Sequence, residues 1–286
     1  MNGRPGIDAQ AISIANGSVT LASGLELAYY DSKETNGEAP ALVLLHGYCG
    51  SSSYWEQVAG ELSRVARVIA PDARGHGLSA APADEIYAME AFAGDVEELL
   101  SRLGIDKAVM LGHSLGGYIT LAYAERYGSR LAALGLIHST PLPDSDAAKA
   151  NRDKAVRAIE QEGVDAFVEG LIPKLFAADR IGELEAKVAR GKEIGRATSQ
   201  HGAAATARGM KERPDRSGVI RDAVLPVLIV AGAKDGVIPP ASAFAAAGSR
   251  TTTVLLEQAG HMSMMECPDE LVAAIIGFAG IVNGRE

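Results

Sequence analysis

The sequence predicts an α/β fold in which a mostly parallel, doubly wound sheet of eight strands is interrupted by a helical insertion. Short apolar runs, suited to strands buried on both faces, alternate with helical patterns. This alternation is typical of parallel strands joined by helical crossovers. It stops in residues 143–216, which are charged, alanine-rich and without a strand pattern. We therefore expect a core in two parts, residues 1–142 and 217–286, and an inserted helical cap at residues 143–216.

The predicted strands are short segments bounded by turn residues. The first two, at residues 18–21 and 25–30, flank Ser23-Gly24 like a hairpin and predict an antiparallel edge. The other strands are expected at residues 41–45, 66–70, 109–111, 131–137, 225–231 and 251–256, and core helices at residues 54–64, 87–103, 118–124 and 268–282. Because the carboxyl ends of parallel strands meet at one edge, we expect the functional loops there.

Composition favours an ordinary soluble globular protein, with 47% hydrophobic and 22% charged residues. The net charge of −9, with no Lys/Arg cluster, argues against nucleic acid as a partner. Two cysteines, Cys49 and Cys267, make neither a disulfide framework nor a metal motif, so a cytoplasmic location is expected. We find no signal-peptide pattern and expect no membrane association, since the apolar run at 271–282 is shorter than the roughly 20 residues of a bilayer span.

A glycine-rich turn around Ser114 is the strongest functional signal. The pattern Gly112-x-Ser114-x-Gly116 follows a predicted strand and precedes a helical pattern. Such a sharp turn strains the backbone at its central residue, and the flanking glycines avoid collisions that side chains would cause. The glycine spacing fits neither the P-loop nor the dinucleotide-binding pattern. Ser114 is therefore predicted to be an exposed nucleophile.

Two further residues complete a catalytic pattern with Ser114. Asp235 and His261 each lie in a loop after a predicted strand, in the chain order Ser, Asp, His. A serine hydroxyl needs a neighbouring base; histidine titrates near neutral pH, and a carboxylate fixes its tautomer. The backbone N–H groups of Tyr48 and Leu115 are the candidate oxyanion donors.

Other polar residues carry weaker signals. His76 lies between two glycines and is expected to be structural, while Asp72 and Arg74 are close enough in the chain to pair. Cys49 is expected to be a buried thiol, although its neighbour Tyr48 brings it close to the site. The remaining histidines lack the loop context of His261; they are His46, His113, His138 and His201.

Five motifs together resemble the α/β-hydrolase superfamily: His46-Gly47, Asp72-x-Arg74-Gly75-His76-Gly77-x-Ser79, Gly112-His-Ser-Leu-Gly-Gly117, Gly232-x-x-Asp235 and Gly260-His261. The resemblance covers the chain outside the predicted cap and implies an α/β-hydrolase fold. It implies that Ser114 is the nucleophile, Asp235 the acid and His261 the base, with the amides of Tyr48 and Leu115 as the oxyanion hole and with no cofactor or metal.

Differences from the motifs of particular family members narrow the kind of hydrolase that we expect. Tyr48-Cys49 replaces the second and third glycines of the H-G-G-G motif of some lipases and esterases, which implies a bulkier ring near the site. Serine at position 114 argues against the related dehalogenases and epoxide hydrolases, which carry aspartate there.

We expect a carboxylesterase-like serine hydrolase that cleaves small carboxylic esters or lactones through an acyl-enzyme. A carbon–carbon bond hydrolase or a cofactor-free oxygenase with the same triad stays open as an alternative. A non-enzymatic ligand receptor, with the cap as its binding surface, is a third. The sequence does not determine the acyl size, the alcohol size or the oligomeric state, for which a homodimer stays open.

Overall fold

Eight strands form one sheet in the computed structural model, which describes residues 13–33 and 39–282. The strands are β1 (Gly17–Thr20), β2 (Glu26–Asp31), β3 (Ala41–Leu45), β4 (Val68–Pro71), β5 (Ala108–His113), β6 (Leu131–Ile137), β7 (Val227–Gly232) and β8 (Thr251–Leu256). Their order across the sheet is β1-β2-β4-β3-β5-β6-β7-β8. β2 is antiparallel to β1 and β4, and all other pairs are parallel. The predicted fold class, with its antiparallel edge, is confirmed.

The helices connect the strands in the alternating order that the sequence predicts. They are α1 (Ala59–Leu62), α2 (Met89–Arg102), α3 (Leu115–Tyr127), α4 (Asp146–Glu162), α5 (Val164–Leu171), α6 (Glu185–Arg196), α7 (Gln200–Glu212), α8 (Ser217–Arg221), α9 (Pro240–Ala243), α10 (Ser263–Glu266) and α11 (Pro268–Val282). None of the helices in the described part of the chain has the length and hydropathy of a bilayer span.

The hydrophobic core lies on both faces of the sheet. Along β3, Leu42 and Leu44 belong to one buried cluster and Val43 and Leu45 to the other, because successive side chains of a strand point to opposite faces. The first cluster includes Phe278 of α11; the second includes side chains of α2 and α3. Burial on both faces explains why the strand reads as a continuous apolar run.

Between β6 and β7 the chain forms helices α4 to α8, and the described residues of this segment contain no strand. α4 contacts α5 and α7, and α6 contacts α5. The apolar residues Val168, Ile172 and Phe176 are buried in the cluster that also includes sheet residues. The helical character of the segment agrees with expectation, whereas its division from the core as a cap at residues 143–216 stays a prediction.

The helix predicted at residues 54–64 is wrong. The structure has a short 3-10 helix, Ser52–Trp55, followed by the single turn of α1. The Oγ of Ser51 accepts the N–H of Ser53 and caps the 3-10 helix, while no side chain caps α1. Trp55 is completely buried. Apolar residues in this segment therefore reflect burial of a tight connection rather than one continuous helix.

The predicted pairing of Asp72 with Arg74 is also wrong. The two carboxylate oxygens of Asp72 accept the N–H groups of Ser52 at 2.7 Å and Leu78 at 2.9 Å. Arg74 instead binds Asp95 of α2 through two hydrogen bonds of 2.7 and 2.6 Å. Each residue has a partner elsewhere in the chain, because Asp72 lies inside its loop and the longer Arg74 side chain reaches the helix.

Candidate active site

Ser114 lies at the sharp turn between β5 and α3. Its backbone is left-handed, with φ of 50° and ψ of −110°. A Cβ atom on Gly112 would lie 2.1 Å from the carbonyl oxygen of Gly116, and one on Gly116 would lie 2.2 Å from that of Leu45. No side chain fits at those distances, so the two glycines allow the strained turn to pack against β3.

The carboxylate of Asp235, in the loop after β7, accepts hydrogen bonds at both oxygens. The N–H groups of Val237 and Ile238 donate to Oδ1 at 2.8 and 2.9 Å. Nδ1 of His261 lies 2.8 Å from Oδ2, and Nδ1 of His138 lies 3.2 Å from the same atom. Burial by itself would raise the pKa of Asp235, but the charge of His261 and the hydrogen bonds from both histidines lower it. Asp235 is therefore an ionised, rigidly held carboxylate.

His261 lies in the loop after β8 and is oriented from two sides. Its Nδ1 contacts Asp235, and its backbone carbonyl oxygen lies 2.9 Å from Nε2 of His113. The contact with the carboxylate makes Nδ1 the protonated nitrogen and leaves Nε2 able to accept a proton. No hydrogen bond joins Ser114 to His261 within the described residues, although both line one cavity. Such bonds are often long in unliganded sites and tighten when the substrate binds.

His138 is a member of this cluster that sequence reasoning missed. It follows β6 directly, has a left-handed φ of 48° and is completely buried. Nε2 lies 2.8 Å from the Oγ of Ser263 while Nδ1 contacts Asp235. Burial lowers the pKa of His138, which favours the neutral ring. Its place at the carboxyl end of a strand, shared with Ser114 and Asp235, is the signal that could have found it.

The nitrogen and oxygen atoms of His138, Asp235 and His261 lie close enough together to surround a metal ion, within 4.8 Å of one another. No other such group of His, Cys, Asp and Glu occurs among residues 13–33 and 39–282. All three side chains are buried and already hydrogen-bonded to one another through Asp235. This donor set fits a hydrogen-bonded relay, since a cation would have to displace both Nδ1 protons.

The two predicted oxyanion donors follow β3 and β5, which are neighbours in the sheet. Leu115 is the first residue of α3, where N–H groups have no intrahelical acceptor. Tyr48 follows Gly47, whose missing side chain lets the ring of His113 approach closely. Across the described residues, no hydrogen bond takes up the N–H group of Leu115 or of Tyr48. Both donors are thus free to bind an oxygen atom.

A cavity of about 670 Å³ connects these groups. Its lining includes Ser114, His261 and Tyr48 as well as several residues of α4 and α5. Phe167 of α5 contacts the Tyr48 ring edge-on, with ring centroids 6.0 Å apart. The Tyr48 hydroxyl donates to the carbonyl oxygen of Ala203 at 2.9 Å, which holds the ring against α7. The volume suits a small organic substrate.

Of the remaining histidines, only His113 lines this cavity. The other residues considered in the sequence lie outside its lining; they are His46, Cys49, Asp72, Arg74, His76, His138 and His201. Burial lowers the pKa of His46 to about 4 and that of His76 to about 3. Burial also raises the pKa of the Cys49 thiol to about 12, so this cysteine is not a thiolate. His201 lies on α7 near the carbonyl oxygen of Asp84, at 3.0 Å.

The chain belongs to the α/β-hydrolase fold family, whose sequence model matches residues 40–268. The resemblance inferred from the five motifs is thereby confirmed. An esterase from Thermogutta terrifontis, solved with malate bound, superposes with a TM-score of 0.86 and is 32% identical. That alignment covers 93% of this chain and 98% of the esterase.

Two further relatives differ in their named activities. The enol-lactonase from Burkholderia xenovorans LB400 superposes with a TM-score of 0.84 and is 27% identical. That alignment covers 92% of this chain and 99% of the enol-lactonase. A dihydrolipoyllysine-residue acetyltransferase component of an acetoin cleaving system, from Pseudomonas putida, is 32% identical over 255 residues. That match covers 86% of this chain and 65% of the relative, so this chain spans less than two thirds of that protein's length.

Proposed function

We propose that the protein is a serine hydrolase that cleaves small carboxylic esters or lactones through an acyl-enzyme. One observation carries the proposal: Ser114, on a strained turn, lines the same cavity as His261, whose Nδ1 is held by Asp235. The esterase and enol-lactonase relatives, similar over more than nine tenths of this chain, support an ester or lactone substrate.

In this mechanism Ser114 Oγ attacks the carbonyl carbon while His261 Nε2 takes its proton. The charge of Asp235 stabilises the imidazolium that forms and keeps the ring oriented. The carbonyl oxygen becomes an oxyanion, to which the N–H groups of Tyr48 and Leu115 donate. Loss of one such donor in comparable sites costs about 3 kcal/mol of transition-state stabilisation.

The tetrahedral intermediate then collapses. The bond to the leaving oxygen breaks, His261 donates its proton to that oxygen, and the acyl group stays on Ser114. Water attacks this ester with His261 again acting as the base, which releases the acid and restores the serine. For a lactone, the alcohol and the acid leave as one molecule.

The test is covalent labelling by a fluorophosphonate probe, followed by intact-mass measurement. We expect one adduct on the wild type and none on Ser114→Ala, because the probe reacts only with an activated serine. Ser242→Ala is the matched control, since Ser242 lines the same cavity. Short p-nitrophenyl esters assayed on the same samples should lose turnover only in Ser114→Ala.

Undiminished ester turnover by Ser114→Ala, or an unlabelled but folded wild type, would contradict the proposal. A labelled wild type that hydrolyses vinylogous diketones but has negligible ester turnover would favour the carbon–carbon bond hydrolase instead. Saturable ligand binding without acylation of Ser114 would favour a receptor.

A further inference from the structure

The cavity concentrates positive charge in a protein that is acidic as a whole. Apart from its histidines, the charged side chains of its lining are the cations Arg152, Lys174 and Arg213 and the single carboxylate Asp144. Three cations and one anion leave a surplus of two positive charges, whereas the chain carries a net charge of −9. Such a local reversal of sign attracts anionic ligands.

Asp144 is shared between the two arginines. Its Oδ2 accepts the Nε–H of Arg152 at 3.0 Å, and its Oδ1 accepts an Nη1–H of Arg213 at 2.6 Å. Burial would raise the pKa of Asp144, but Arg152 and Arg213 together lower it, so the carboxylate is ionised. One negative charge therefore faces two permanent positive charges.

The two arginines differ in how their remaining donors are used. Arg213 also donates to the carbonyl oxygens of Met210 at 2.8 Å and Leu142 at 3.1 Å, and its guanidinium carbon lies 3.9 Å from the centre of the Tyr118 ring. These contacts join the end of α7 to the segment before α4. Arg213 therefore serves mainly to hold the cavity wall together.

Arg152, on α4, has terminal nitrogens to spare. Its hydrogen bond to Asp144 runs through Nε. Among the described residues, no acceptor binds the N–H groups of Nη1 or Nη2. The side chain is 25% exposed and lines the cavity. The edge of the guanidinium formed by Nη1 and Nη2 therefore has free N–H groups and matches the geometry of a carboxylate, to which it can donate two parallel hydrogen bonds.

The cations Arg152, Lys174 and Arg213 line the same cavity as Ser114. Tyr118, whose ring centre lies 3.9 Å from the guanidinium carbon of Arg213, is in the first turn of α3, which begins directly after Ser114. Tyr118, Arg152 and Ser114 all line the same cavity, together with apolar side chains such as Phe167. A substrate whose carbonyl group lies at Ser114 therefore shares this cavity with the Arg152 guanidinium.

We propose that Arg152 binds a free carboxylate on the acyl part of the substrate, so that the preferred substrates are half-esters of dicarboxylic acids or lactones that carry a carboxylate. This inference rests on the proposed function, because Ser114 must attack the other carbonyl of the same molecule. Asp144 holds the guanidinium by its Nε–H and leaves the outer edge for the ligand.

The test compares two esters that differ only at the end of the acyl chain: mono-p-nitrophenyl adipate and p-nitrophenyl hexanoate. We expect the wild type to favour the charged ester in kcat/KM. Arg152→Gln should lower the ratio of charged to neutral kcat/KM by about tenfold or more, mainly through KM, and Arg152→Lys should restore part of it. Arg208→Gln is the control, because Arg208 pairs with Glu160 and does not line the cavity.

A second measurement does not depend on hydrolysis. Adipate should raise the melting temperature of the wild type and of Arg208→Gln, but not that of Arg152→Gln. A wild type that prefers the hexanoate, or an unchanged ratio in Arg152→Gln, would overturn this inference and leave the esterase proposal standing. Absent turnover of both esters and absent probe labelling would overturn the proposed function. In that case the change in melting temperature with adipate would still test whether Arg152 binds a carboxylate.

Discussion

Replacing Asp235 by asparagine would change one carboxylate oxygen to an amide group without changing the shape of the side chain. The structure determines which oxygen is replaced. The N–H groups of Val237 and Ile238 both donate to Oδ1, so the amide oxygen must occupy that position. The NH₂ group is then left facing Nδ1 of His261 and Nδ1 of His138.

This arrangement changes the tautomer of His261. An NH₂ group is a donor, so Nδ1 must accept and the ring proton moves to Nε2, which can no longer accept the proton of Ser114. The negative charge that stabilises the imidazolium is also lost. The equivalent change in a well-studied Ser-His-Asp triad lowers kcat about 10⁴-fold. At about 1.4 kcal/mol per factor of ten, we expect Asp235→Asn to raise the activation free energy by about 5.5 kcal/mol.

The assay is kcat for p-nitrophenyl butyrate at neutral pH, together with the rate of labelling by a fluorophosphonate. Asp153→Asn makes the same chemical change at a partly exposed residue paired with Lys211 on α7, so it controls for the substitution itself. Circular dichroism and the melting temperature report folding. A folded Asp235→Asn variant with kcat within about tenfold of the wild type would refute the assignment of Asp235 as the residue that orients His261.

Two further predictions concern stability. Burial lowers the pKa of His46 to about 4 and of His76 to about 3, from an ordinary 6.5; below pH 6.5 the unfolded chain therefore binds more protons. The free energy of unfolding should fall by about 1.4 kcal/mol per pH unit for each histidine as the pH drops from 6.5 towards 4. Identical urea midpoints at pH 7 and pH 5 would contradict this prediction. Gly116→Ala should cost about 3 kcal/mol or more, because its Cβ would lie 2.2 Å from the Leu45 carbonyl oxygen. Gly94→Ala, in an open helix position, should be neutral or stabilising, and equal melting temperatures of the two variants would count against the close packing of the turn.

The strands of the sheet were largely predictable because their signal is local. The apolar runs at Ala41–Leu45 and Leu131–Ile137 coincide with observed strands, as does Pro268–Val282 with the last helix. The threonine-rich edge strand Thr251–Leu256, which is largely exposed, also has its predicted bounds. A strand buried on both faces requires apolar residues at every position, so its composition shows its extent. The connection after β3 was not predictable in this way, since a buried tight turn and a helix can share the same apolar content.

Side-chain partners were much harder to predict. Asp72 and Arg74 are neighbours in the chain, yet each finds its partner elsewhere, in Ser52 and Leu78 or in Asp95. Proximity in sequence is a poor guide because a long side chain can reach a different element more easily than a neighbour inside its own loop.

The sequence by itself determined the order of strands and helices along the chain and the loops in which Ser114, Asp235 and His261 lie. Turn glycines and apolar runs are local signals, because they consist of consecutive residues. Only the tertiary structure decided that His138 shares the carboxylate of Asp235, 97 residues away. The same holds for Arg152, whose free guanidinium edge faces the cavity from α4. Both contacts depend on which elements become neighbours, such as the pairing of β6 with β7. Periodicity along a chain records which face of an element is buried, but not which residue lies opposite it.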